Sequence, residues 1–183
     1  WLILLLFLGF IVSMLISSFS NVIATLTTMV FFQSVVLDMA GNAGTQSLAV
    51  TIRILSEEDV DKKLIGKLIF KEFRVGVCNG FILSLISFIS SFMYLIIFKM
   101  PITDGGTFSY IQSLLAAGII GIALFVSMTL SSLVGCTIPI IFHSFHIDPA
   151  AASGPLITTL NDLVAVAVYY GLSYLLLFEL VAL

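Results

Sequence analysis

Asp38-Met39-Ala40-Gly41-Asn42-Ala43-Gly44-Thr45-Gln46-Ser47 places a carboxylate, two glycines and four hydrogen-bonding side chains inside a long apolar run. An ionisable group at membrane depth is costly and normally faces a bundle interior or a water-filled path. The glycines let backbones approach closely, or let a helix bend where it lines a cavity. A structural reading of the same stretch has Asp38 and Asn42 capping a helix break while Gly41 and Gly44 pack. The presumption attached to buried ions favours a pore or binding site.

The surroundings decide the fold class. The chain has 183 residues, of which 60% are hydrophobic and 9% charged, with a mean hydropathy of +1.23. Soluble domains carry roughly a quarter charged residues, so this composition describes an all-α, polytopic membrane protein. Its length suits a single domain, residues 1–183, with about five spans of roughly 20 residues each. The sequence opens at Trp1 directly in an apolar run, without an initiator Met. That reads as a piece of a longer chain. Cys78 and Cys136 lie in apolar stretches with no ligand partners at zinc spacing, which predicts two buried structural thiols. No basic patch with interleaved aromatics is present, so nucleic acid is excluded as a partner.

The first span is expected over about Leu2 to Phe19, followed by a turn at Ser17 to Asn21. The second, about Val22 to Leu55, would be about 51 Å long as a straight helix, against a hydrocarbon core of about 30 Å. It must tilt, protrude or break, and Gly41 to Gly44 is the natural place for a break. Ser56 to Arg74 has apolar residues at helical spacing and resembles an interfacial helix leading into the third span. The third span covers about Val75 to Phe98, the fourth about Tyr110 to Phe142, and the fifth runs from Asp148, as N-cap to Pro149, to about Leu180. Six of the seven basic residues, Arg53, Lys62, Lys63, Lys67, Lys71 and Arg74, cluster around the loop between spans two and three. That loop is therefore expected in the cytoplasm, with a cytoplasmic N-terminus and an external C-terminus. His143 and His146 read as interfacial residues, since no second ligand pair accompanies them.

A second constellation, Ser153-Gly154-Pro155-Leu156-Ile157-Thr158-Thr159-Leu160-Asn161-Asp162, lies in span five. Pro155 is expected to kink the helix. Gly154, Thr158 and Asp162 recur at i, i+4 and i+8, and on span two Asp38, Gly41 and Thr45 recur at i, i+3 and i+7. Each helix thus presents a polar stripe of small residues with a carboxylate. Thr158, Thr159 and Asn161 are also accounted for as interhelical hydrogen-bonding groups. Asp162 is not, because no Lys or Arg is placed to neutralise it, so it must be protonated, solvated or paired with a mobile cation. Oxygen-only ligands suit hard ions. A hydrated Mg²⁺, a proton or Na⁺ each satisfies this chemistry.

These two segments resemble the membrane domain of the MgtE family of magnesium channels or transporters. The matching residues are Gly41-Asn42-Ala43-Gly44-Thr45-Gln46-Ser47 with Arg53, then Asp148-Pro149-Ala150, and Ser153 through Asp162. The resemblance implies a homodimer with one pore on the two-fold axis, lined by spans two and five of both copies. It implies that Asp162 and its dimer mate hold hydrated Mg²⁺, with Asp148 at the cytoplasmic mouth as a further metal residue. Asp38, Gly41, Asn42, Thr45, Gly154, Thr158 and Asn161 would line the pore. It also implies a location in the cell's inner membrane, and cytoplasmic regulatory domains, including a pair of CBS modules, in the full-length chain. A coupled Mg²⁺ transporter, a membrane scaffold and an intramembrane aspartyl protease are the other classes. No Gly-x-Gly-Asp, Gly-x-Ser-x-Gly or His-Glu-x-x-His element supports an enzyme. The expected order is channel, transporter, scaffold, enzyme.

Overall fold

The computed structural model describes residues 2–57, 61–151 and 154–178, and every regular element among them is helical. The helices are α1 (Leu2–Ser18), α2 (Ser20–Thr25), α3 (Thr27–Glu57), α4 (Lys62–Ile97), α5 (Tyr110–Ser144) and α6 (Gly154–Ser173), the last extended by a π-helical turn at Tyr174–Phe178. By length and composition three of them are able to cross a membrane: α4, α5 and the stretch Gly154–Leu176. At 31 residues α3 is long enough, but it carries the polar run from Asp38 to Ser47. The apolar α1 has 17 residues.

Three expectations about these elements need correction. The long second segment breaks at Leu26, between α2 and α3, and not at Gly41 to Gly44, where α3 is continuous. Its glycines serve as a contact surface. The turn expected at Ser17 to Asn21 is a break at Phe19 alone. Residues 62–74 run without a break into the third span as the first turns of the 36-residue α4. Asp61 caps it, accepting the Leu64 N–H at 2.6 Å. The Asp148-Pro149 start expected for the fifth span opens as a 3₁₀ turn, Pro149–Ala151. Pro155 lies in the first described turn of α6, and the kink expected there borders residues 152–153, outside the described residues.

The central helix is α5, packed against α3, α4 and α6, while α1 leans on α6. Between helices in lipid there is little hydrophobic driving force, so close packing and interhelical hydrogen bonds do the work. Gly135 of α5 sits directly on Gly44 of α3: a Cβ there would lie 2.9 Å from the Gly44 carbonyl carbon and 3.0 Å from its Cα. Beside this contact the buried Ser47 hydroxyl donates to the Ser132 carbonyl at 2.8 Å. Further along, the Tyr169 hydroxyl donates to the Met29 carbonyl at 2.6 Å, and Tyr170 bonds Gln33. Both tyrosines are fully buried and tie α6 to α3. Around them Leu26, Met29, Val36, Ile120, Leu124 and Val166 form the main apolar core.

The ends of α4 and α5 share a device. Lys99 and His146 adopt left-handed backbones, with φ of 46° and 58°. The next amide in each case reaches back five residues, Met100 to Leu95 at 3.1 Å and Ile147 to Phe142 at 2.9 Å. This closes both helices without glycine. The hydroxyl of Thr28 then holds the α4–α5 loop through the Pro101 carbonyl at 2.6 Å. Cys136 is buried as expected, whereas Cys78 is exposed on the outer face of α4.

Candidate functional site

The two polar stripes meet. A groove of about 370 Å³ between α3 and α6 is lined by Ser34, Leu37, Asp38, Gly41, Asn42, Thr45, Thr158 and Asp162. Gly41 sets the spacing, since a Cβ on it would already touch the Thr158 methyl carbon at 3.4 Å. Gly154 continues the α6 face, its hypothetical Cβ 4.0 Å from the Thr45 methyl carbon.

The hydrogen bonds decide what this groove can hold. The Thr45 hydroxyl lies 3.1 Å from the carbonyls of both Gly41 and Asn42, and the Thr158 hydroxyl donates to Gly154 at 3.0 Å. Each hydroxyl has one hydrogen, and here it is committed to the helix backbone. The Asn42 amide nitrogen donates to Asp38 at 3.2 Å, which turns the amide oxygen away from the carboxylate. What the groove offers is mainly acceptors: two carboxylates and the hydroxyl oxygens of Ser34, Thr45 and Thr158. Asp162 is half-buried and has no hydrogen-bond partner among the described residues. No Lys or Arg lines the space. An acceptor-rich, negatively charged groove favours a cation, and its oxygen ligands favour a hard one.

The remaining site residues lie elsewhere. Asp148 is exposed and outside the groove, where its carboxylate accepts the Ala150 amide at 2.9 Å. Asn161 faces away from the groove and is fully buried against Gly44, and neither its amide nitrogen nor its oxygen has a hydrogen-bond partner among the described residues. Ser34 and Leu37 line the groove without having been singled out in the sequence. Ser34 lies four residues before Asp38, so the i, i+4 rule applied one turn upstream would have found it. Among the described residues no group of three or more His, Cys, Asp or Glu side chains could chelate a metal. One copy of the groove therefore lacks the ligands to strip an ion of its water.

Comparison with known proteins gives a consistent picture. Residues 33–172 match the MgtE family model, described as a divalent cation transporter. The chain is 40% identical to the magnesium transporter MgtE of Bacillus subtilis, over 94% of this chain and 35% of that protein. It is 35% identical to the magnesium transporter MgtE of Enterococcus faecalis over the same shares, 94% and 35%. Against the magnesium transporter MgtE of Thermus thermophilus the identity is 29%, over 97% of this chain and 36% of that protein. The chain thus spans about a third of the length of the curated relatives it matches.

Proposed function

This chain belongs to the MgtE family, and on that premise we propose that it is the membrane-spanning, pore-forming part of a Mg²⁺ channel carrying the ion into the cytoplasm across the inner membrane. The observation that carries the reading is Asp162, a carboxylate with no hydrogen-bond partner among the described residues, on an acceptor-rich groove that no basic side chain lines. The names of its relatives, all magnesium transporters, support the choice of ion.

In this reading the chain crosses the membrane five times, with α1 and α3 joining α4, α5 and α6. The basic loop and the N-terminus are cytoplasmic and the C-terminus external. Two copies close the groove about a two-fold axis, so that both Asp162 side chains face one ion. Two like charges at close range resist joint ionisation unless a cation sits between them. Mg²⁺ gives up its waters reluctantly. The carboxylates, Thr45, Thr158 and the carbonyls exposed near Gly154 then accept from coordinated water, selecting the ion by its hydrated geometry. Asp38, Gly41 and Asn42 line the path, Asn161 backs its wall through Gly44, and Asp148 marks the cytoplasmic mouth. Cytoplasmic regulatory domains complete the full-length chain.

A secondary transporter coupling Mg²⁺ to Na⁺ or H⁺ would use the same carboxylates. The full-length protein reconstituted in liposomes separates the two. A channel passes Mg²⁺ down its own gradient whether or not a Na⁺ or proton gradient is present. Flux that requires the second gradient would replace the channel by the exchanger, and absence of Mg²⁺ flux under both conditions would refute the function.

A further inference from the structure

On the other side of α3 lies a second polar space. It has a volume of about 320 Å³ and is bounded by α3, α4 and α5, with Asn42, Gln46, Ser47, Glu72, Asn79 and Ser132 as its polar lining. Glu72 is 3% exposed. Its carboxylate makes no hydrogen bond or ion pair with a described side chain. The buried positions of α4 here are Leu68, Glu72, Gly76 and Gly80, at four-residue intervals. Glu72 therefore sits on the stripe that α4 turns towards its neighbours, not on a solvated face.

A carboxylate in that position needs neutralising, because an uncompensated buried charge costs several kcal/mol. Lys71 also borders the space, but it is exposed and forms no ion pair with Glu72. The other lining groups are amides and hydroxyls. The Ser47 hydrogen is already committed to Ser132, so its oxygen can only accept. Apart from the exposed Lys71 at its border, the groups around this single carboxylate are neutral oxygens from three helices. One carboxylate is too little charge to dehydrate a divalent ion, which leaves a monovalent one. Among the described residues Glu72 belongs to no group of three or more His, Cys, Asp or Glu side chains that could hold a metal, which disfavours transition metals.

We propose that this chamber is a binding site for an alkali-metal cation, held by Glu72 with amide oxygens from Gln46 and Asn79, and distinct from the groove that contains Asp162. Asn42 lines both spaces, so the two sites share a wall. The assignment rests on the chamber's own geometry and stands whether or not the groove conducts Mg²⁺.

The test is thermal unfolding of the purified full-length protein in detergent, titrated with NaCl or KCl against choline chloride at constant ionic strength. Binding to the folded state alone raises the melting temperature with saturation. At about a hundred times Kd the rise should be a few degrees. Wild type and Asp162→Asn should both show it, and Glu72→Gln should not. If Glu72→Gln does not fold, Asn79→Ala provides the second reading, with the ion concentration at half-saturation raised at least tenfold. Whether Na⁺ or K⁺ acts at lower concentration identifies the ion. A wild type that melts at the same temperature in all three salts overturns the proposal. So does a Glu72→Gln variant that keeps the full shift. Loss of the shift in Asp162→Asn alone would place the ion in the groove instead.

Discussion

Replacing Gly135 with alanine inserts a methyl group into the backbone of α3. The new Cβ would stand 2.9 Å from the Gly44 carbonyl carbon and 3.0 Å from the Gly44 Cα, and closer still to the carbonyl oxygen. Ordinary van der Waals contact begins at about 3.4 Å, so α3 and α5 must separate by at least about 0.5 Å at this level. Backbone cannot rotate out of the way as the end of a flexible side chain can. Overpacking a well-filled interior typically costs about 1–3 kcal/mol, and a rigid neighbour points to the upper end. At about 3 kcal/mol the melting temperature of a chain this size falls by about 6–12 °C. Gly118, on the same helix with nothing within 4 Å of its hypothetical Cβ, is the control. Alanine there removes the helix penalty of glycine and leaves stability equal or raised by up to about 1 kcal/mol. The assay is thermal denaturation in detergent followed by size-exclusion chromatography. Since α3 also carries Asp38, Asn42 and Thr45, Mg²⁺ flux should fall with the same substitution. A Gly135→Ala protein melting within a degree or two of wild type would refute backbone-to-backbone contact between α3 and α5.

Other consequences follow from individual side chains. Asp38 is exposed at the groove and already engaged by Asn42, so Asp38→Asn should lower flux less than removal of Asp162, and the deficit should shrink as ionic strength rises. An equal deficit at every salt concentration would exclude a steering role. Tyr169→Phe deletes a buried hydrogen bond to the Met29 carbonyl and should cost about 1 kcal/mol in denaturation while leaving ion selectivity unchanged. Cobalt hexaammine, which mimics hydrated Mg²⁺ and cannot shed its ligands, should block flux through the wild-type protein. Flux indifferent to it would mean that the site strips the ion bare.

That Asp38 and Asp162 each lie on a polar stripe was legible in the sequence because the helical period alone fixes which residues share a face; that the two stripes line one space was implied by the family resemblance. Features that depend on a distant partner were not legible. Glycine at 41 and 44 reads as a weak point in an isolated helix. The helix stays whole because Gly44 is the surface on which Gly135, far along the chain, comes to rest. Asp148-Pro149 is a valid α-helix start, and only the fold assigns it a 3₁₀ turn. Asn161 lies next to Asp162 in sequence, but one position along a helix is a turn of about 100°, which carries it from the groove into the α3 contact. Glu72 was hidden by its neighbours Lys71 and Arg74, which make the segment look interfacial. The four-residue recurrence of Leu68, Glu72, Gly76 and Gly80 was the signal available.

The central claim is that Asp162 holds the permeating ion. It is tested most directly by Mg²⁺ uptake into liposomes containing Asp162→Ala protein, compared with wild type at equal reconstitution and with the oligomeric state of both checked by size exclusion. The account predicts a dimer of unchanged stability whose selective Mg²⁺ flux is lost or severely reduced. A folded Asp162→Ala dimer that conducts Mg²⁺ at the wild-type rate would contradict it.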